Sequence, residues 1–218
     1  MAAEMHLFRT RTEWLEARKS FIGGSDAAAV IGQSPYKSNV ELWEEKSGLR
    51  EPEDISGKAY VQYGTKAEQY LRELFRLDFP EYQLDYQPGN LWTNEKFPWA
   101  HASLDGWLTD PDGRRGVWEC KTGNISSKVT ASWWDDRIPQ QYYCQILHYL
   151  MVTEFDFVVL KAQLRYPGED RFTVTKHYFF ERTELEDDIQ YLTVREREFA
   201  AAVREGKRPA RILPGLDG

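Results

Sequence analysis

Cysteine and histidine are both scarce: Cys120 and Cys144 are the two thiols, and His6, His101, His148 and His177 the four imidazoles. None falls into CxxC or HxxxH spacing, which argues against a structural zinc site. Long apolar runs are missing too. No uninterrupted stretch approaches the ~18 residues that a membrane helix needs, so no membrane partner is expected. The N-terminal MAAEMHLFRTRTEW lacks the basic segment followed by an apolar stretch that marks a secretory leader, and a cytosolic chain is the expectation. In that setting the Asn124-Ile125-Ser126 sequon is a chance match, because glycosylation requires secretion. Positive charge is short as well. A formal net charge of −7 argues against simple coating of a polyanion, unless basic residues gather locally or metal ions invert the field.

What is present fits one globular domain with a full core: 218 residues, 41% hydrophobic and 29% charged, with no repeat or low-complexity segment. Thr10 and Glu13 have the spacing of a capping box that opens a helix over TEWLEARK, to about Lys19, with Trp14 and Arg18 on one face. Ser25 or Asp26 is expected to cap a short helix DAAAVI ended by Gly32, and Ser38 with Glu41 repeats the capping box before NVELWEEKSG. The first fifty residues therefore read as helical. In KAYVQYGTKAEQYLRELFRLDF, Ala67, Tyr70, Leu71, Leu74 and Phe75 form the apolar stripe of a long helix.

Beyond Pro80 the pattern changes to strands: YQLDYQ, WAHASLDGWLTD and GVWECK, the last two joined by a turn at Pro111-Asp112-Gly113. A polar loop, GNISSKVTASWWDDRIP, leads to a helix QQYYCQILHYLMV after Pro139. Trp133 and Trp134 in this loop read as interface or core residues. FDFVVLKAQLRY and RFTVTKHYFFER form a hairpin through Pro167-Gly168-Glu169-Asp170, a helix ELEDDIQYLTVREREFAAAVREG follows, and Lys207 to Gly218 reads as a loose tail. The fold class is α/β (α+β), a central mixed β-sheet flanked by helices. The single domain 1–218 comprises a helical N-terminal segment over residues 1–55, a core of about 56–182 and a C-terminal helix of about 183–206.

GVWECKTGN carries the chemical question. Alternate strand residues share a face, so Glu119 and Lys121 point the same way with Cys120 between them. Asp105, in SLDGWL, is brought near Glu119 by the hairpin. Two carboxylates a few ångströms apart repel unless a cation lies between them, and Mg²⁺ prefers such hard oxygen ligands. Glu68 lies three residues before Leu71 and seven before Phe75, on the buried side of its helix, where an acid needs a partner or a metal. Lys121 could then hold, or help deprotonate, a water facing a phosphorus atom.

Asp105 and Glu119-Cys120-Lys121 across a hairpin, with helical Glu68 before them and a Gln-bearing helix after, resemble the PD-(D/E)XK (restriction endonuclease-like) core. Leu104 stands where the proline of that name would be. RKSFIGGSDAAAVIGQSPYKSNVELWEEKSGL, YGTKAEQYLRELF, HASLDGW, ECKTG and IPQQYYCQILHYLMVT together resemble the YqaJ-like viral recombinase family, which includes the phage lambda exonucleases, over roughly Trp14 to Thr153.

That resemblance implies a Mg²⁺-dependent 5′-to-3′ exonuclease, with Mn²⁺ as a substitute. Such an enzyme degrades one strand of linear double-stranded DNA bearing a 5′ phosphate and leaves a 3′ single strand for recombination. It also implies a homotrimeric ring, a single-strand DNA annealing protein as partner, and a cytoplasmic, bacterial or phage-encoded protein. Carried over by position, Asp105 and Glu119 match metal ligands, the Cys120 carbonyl a third ligand and Lys121 the catalytic lysine. Glu68 matches a ligand to a second metal or one acting through water. The family glutamine matches Gln145, with Gln141 one turn earlier as the other choice. Arg18 matches the 5′-phosphate-binding arginine, with Ser25 beside it. Arg9, Arg11, Lys37, Lys66 and Lys128 are candidates for a DNA-facing surface. An endonuclease or structure-specific nuclease of the same fold, and a catalytically inert DNA-binding recombination scaffold, are the alternatives.

Overall fold

A computed structural model describes residues 3–19, 21–167 and 172–213. In chain order its elements begin with β1 (Glu4–Leu7), α1 (Arg11–Lys19), β2 (Ile22–Gly23), α2 (Gly24–Val30), α3 (Asn39–Lys46) and α4 (Ala59–Asp78). Next come β3 (Gln83–Asp85), β4 (Asn90–Thr93), β5 (Ala100–His101), β6 (Gly106–Thr109) and β7 (Arg115–Asn124). The chain continues with α5 (Lys128–Ser132), α6 (Gln140–Thr153), β8 (Phe157–Tyr166), β9 (Phe172–Glu181) and α7 (Arg182–Arg204).

Both expected capping boxes form: Thr10 with Glu13, and Ser38 with Glu41, exchange side-chain and backbone hydrogen bonds. The third cap differs. α2 starts at Gly24 with Gly23 as its N-cap, so neither Ser25 nor Asp26 caps it; Asp26 sits inside the first turn, accepts from the Gly23 amide and pairs with Lys46 at 2.8 Å. The first fifty residues are also not all helical. β1 pairs antiparallel with β4, and β2 runs parallel to β5. These two-stranded ribbons tie the N-terminal helices to the segment ahead of the β6–β7 hairpin.

The main sheet has the order β3-β6-β7-β8-β9 and is mixed: β7 and β8 are parallel, and the other pairs are antiparallel. A parallel neighbour requires a crossover, here supplied by α5 and α6. α5 lies within the segment expected to be only loop. WAHASLDGWLTD does not run as one strand, because it breaks between β5 and β6 and leaves Asp105 immediately before β6. The turn after β6 is held by the Asp110 carboxylate, which accepts from the Asp112 and Arg114 amides, while Gly113 takes φ +80°.

Alternation on the central strands divides the core in two. Val117, Val158 and Leu160 face α6, which α7 closes from outside, whereas Trp118, Cys120, Phe157 and Val159 face Leu71 and Phe75 of α4. Cys120 and Cys144 are buried and unpaired. The apolar stripe of α4 is narrower than its periodicity implies. Tyr70 is 63% and Leu74 46% exposed, because the helix meets the sheet along the Leu71–Phe75 line alone, with Arg72 filling the flank.

The tail is docked as far as it is described: the Asn39 side chain donates to the Ala210 carbonyl and accepts from the Ile212 amide, and Ile212 packs on Gly32. Residues 214–218 of the expected loose tail, and Gly168, Glu169 and Asp170 of the expected turn, lie outside the described residues. Among the described residues no helix is long and apolar enough to cross a membrane.

Candidate active site

β7 carries Glu119 and Lys121 on the face turned toward α6, and the two side chains meet, Nζ to Oε1 at 2.6 Å. Glu119 is 2% exposed, and its second oxygen, Oε2, has no hydrogen-bond partner among the described residues. The register that sets Gly106 opposite Trp118 brings Asp105 beside this pair, and the Asp105 carboxylate accepts from the Cys120 amide at 3.1 Å. The hairpin therefore brings together the three residues that the strand pattern singled out.

From α4, Glu68 reaches the same place half-buried. Burial and then the Asp105 carboxylate push it up to about 7. The same two causes push Glu119 up to about 8. Burial opposes the charged form of Lys121, but Glu119 and Asp105 outweigh it and raise its pKa. Arg72, one turn on from Glu68, fixes the bend itself: its Nη1 donates to the Asp105 carbonyl at 2.9 Å while its guanidinium stacks on Tyr86. Sequence reading passed over Arg72. Its spacing of four from Glu68 on a helix that faces the hairpin was the available signal.

The opposite wall is one face of α6. Lys121 Nζ lies 4.8 Å from the ring centroid of Tyr142, and Gln145, buried three residues later, donates to the Tyr149 hydroxyl at 2.6 Å. Gln141 instead lines a separate depression with Gln33, Ser34 and Trp133. Of the two glutamines, Gln145 shares its neighbourhood with the β7 residues. Trp134 is core, whereas Trp133 is 46% exposed.

Arg18 stacks on Trp14 at 4.0 Å rather than pairing with an acid one turn away, and burial lowers its pKa. It lies near Gly23, whose missing side chain leaves room for His101. Ser25 is exposed in the first turn of α2. The proposed DNA-facing cations divide. Arg11 and Lys66 line one depression, Arg9 and Lys128 are exposed, and Lys37 is engaged with Glu45 at 2.5 Å.

Among the described residues no three His, Cys, Asp or Glu side chains form a ready ligand cluster, since Glu119 turns to Lys121 and Asp105 to the Cys120 amide. The donors nevertheless suit a small hard cation. All are oxygens, the unpartnered Glu119 Oε2 is buried, and Asp105 raises the pKa of both other carboxylates, a repulsion that a divalent ion would relieve.

Known proteins resemble this chain in sequence and in fold. Uncharacterized protein YqaJ of Bacillus subtilis (strain 168) is 30% identical over 147 residues, a match covering 66% of this chain and 42% of that protein. The match thus spans less than half of the curated relative. An alkaline exonuclease (LHK-Exo) from Laribacter hongkongensis superposes with a TM-score of 0.63 at 17% identity, covering 90% of this chain and 96% of that one. A phage related exonuclease from Haemophilus somnus 129PT gives 0.52 at 13% identity, covering 85% and 96% respectively. At such identities the likeness establishes the fold alone, a mixed sheet flanked by helices. Residues 13–156 match the YqaJ-like viral recombinase domain, and the chain belongs to that family.

Proposed function

We propose that this chain is a Mg²⁺-dependent deoxyribonuclease that degrades one strand of linear double-stranded DNA in the 5′-to-3′ direction, leaving a 3′ single-stranded overhang for recombination by strand annealing. The observation that carries this reading is the buried Glu119 carboxylate: Lys121 holds one of its oxygens at 2.6 Å, the other oxygen is unpartnered, and Asp105 stands beside it across the hairpin. A buried carboxylate oxygen without a partner is uncommon, but Glu196 in its pair with His148 leaves one as well, so it is the second carboxylate, Asp105, beside the free oxygen of Glu119 that favours a cation there.

Asp105, Glu119 and the Cys120 carbonyl would hold the cation, with Glu68 serving a second ion or acting through water. Bound there, a divalent ion supplies Lewis-acid polarisation of the scissile phosphate. Lys121 stays cationic between two carboxylates, so it can orient the attacking water and meet the negative charge that develops on the phosphoryl oxygens. Gln145 borders that position from α6. Arg18, rigidified by its stack on Trp14, presents a planar fork suited to a terminal 5′ phosphate. Several copies of the chain in a ring would gather Arg9, Arg11, Lys66 and Lys128 along one duplex, and a single-strand annealing protein is the partner expected to receive the exposed strand. The alkaline exonuclease likeness supports this reading.

The test is a Mg²⁺ gel assay on linear duplex with and without 5′ phosphates and on supercoiled plasmid, for wild type and Lys121→Ala. The expected result is digestion of phosphorylated linear duplex, slowed roughly a hundredfold or more by the substitution. Cutting of the plasmid would instead identify an endonuclease, and no digestion of any substrate a DNA-binding scaffold.

A further inference from the structure

Tyr149 has no role in the chemistry above; its ring belongs to the core around α6, while its hydroxyl meets a polar neighbour, Gln145. Tyr149 follows Tyr142 by seven residues and Gln145 by four, which puts all three on one face of α6. A Cβ at Gly24 would stand 2.5 Å from Tyr149 Cε1 and 3.1 Å from Gln145 Cγ, and one at Gly23 would stand 3.8 Å from Arg18 Nη2. Gly24 thus lets bare backbone close over Tyr149, while the neighbouring Gly23 makes room for His101, 3.0 Å from where a Cβ would stand, and lies at ordinary contact distance from Arg18.

The ring is buried, 5% exposed, and its oxygen accepts from Gln145 Nε2 at 2.6 Å. A phenol also donates. Among the described residues the Tyr149 O–H has no acceptor, although a buried donor ordinarily finds one. The charges acting on this hydroxyl are Glu119, Lys121 and Asp105, and Tyr149 in turn acts on Arg18. The free donor therefore lies between the arginine and the β7 residues, where an oxyanion would be the natural acceptor.

We propose that the Tyr149 hydroxyl donates a hydrogen bond to the terminal 5′ phosphate that Arg18 holds, and that position 24 is glycine because the Tyr149 ring fills the space a side chain would take. Gln145 fixes the direction of the donation by occupying the oxygen's lone pair. Tyr149 is then a residue that distinguishes a phosphorylated end from a 5′-hydroxyl end. This inference rests on the nuclease reading for its substrate.

The test compares Tyr149→Phe, which keeps the ring against Gly24, and Gly24→Ala, which displaces it, with wild type. Two measurements are made: kcat/KM on 5′-phosphorylated and 5′-hydroxyl linear duplex in Mg²⁺, and anisotropy binding of the same duplexes in EDTA. In both variants the preference for phosphorylated ends should fall roughly tenfold, mainly through KM, as expected for one hydrogen bond to a charged acceptor. The loss of preference should appear in binding too. An equal loss on both ends, or no change in either measurement, overturns the proposal, provided thermal melting shows both variants folded. If wild type digests nothing, the binding arm decides: loss of phosphate preference in the variants upholds the Tyr149 site while the nuclease reading falls, and no such loss overturns both.

Discussion

Arg18 shows how a single side chain can be set for one task. Its guanidinium is held at 4.0 Å over Trp14 and near Gly23, so little further ordering is needed when an anion arrives. Arg18→Ala is therefore expected to raise KM for phosphorylated ends by roughly tenfold and shorten processive runs, while single-turnover cleavage at saturation changes less. Equal loss on every substrate in a single-turnover assay would show that the arginine has no anchoring role. Glu68, Asp105, Glu119 and Lys121 were legible in the sequence because strand alternation and helix period are local rules that a hairpin preserves. Tyr149 was not, and Arg72 offered only its spacing of four from Glu68. Their roles depend on which neighbour faces them, the Asp105 carbonyl for one and Gly24 for the other, and that juxtaposition arises only when α4 and α6 pack on opposite sides of the sheet. Ser25 lies exposed on the first turn of α2, whose cap is Gly23.

At the scale of elements, the strand that carries the site depends on a close approach. Gly116 lies opposite Phe157 at the start of the parallel pair, and a Cβ there would fall 2.2 Å from the Phe157 ring. Gly116→Ala should destabilise the fold by about 1–3 kcal/mol through overpacking, read as a lower denaturant midpoint with little change in slope. α7 depends on a buried pair, His148 Nδ1 with Glu196 at 2.8 Å, while His148 Nε2 donates to the His101 carbonyl. Burial opposes a charged His148, but the Glu196 carboxylate and the His101 carbonyl outweigh it and raise its pKa. A raised histidine contributes stability that is full below about pH 6.5, the ordinary value, and is lost as pH rises through its value in the fold. The melting-temperature gap between wild type and Glu196→Gln should accordingly be largest near pH 6 and shrink as the pH rises through the raised value; a gap that is already smaller at pH 6 than at higher pH would exclude a charged histidine. The long helices and the central strands were legible because their periodicity extends over many residues. β2 was not, since its two residues leave no period to detect and only tertiary pairing makes them a strand, while β5 fell inside the longer strand expected over WAHASLDGWLTD.

The whole molecule carries a net charge of −7, an awkward endowment for the proposed nuclease, which would have to follow a polyanion. A closed ring of three copies would reconcile the two by collecting cations on its inner surface while the outside stays acidic. Sedimentation should then report three times the mass of one chain, and duplex binding should weaken steeply with added salt; a monomer with salt-insensitive binding would contradict the arrangement. The two buried cysteines have a practical corollary at this scale. Burial raises the pKa of both thiols, Cys144 to about 11 and Cys120 well above its ordinary value, so neither is poised to react with alkylating reagents at neutral pH. An exposed cysteine introduced at Lys128 would be the one fast-reacting handle on the native chain. A dye attached there could report the approach of a DNA end in real time without first stripping the protein of its own sulfhydryls.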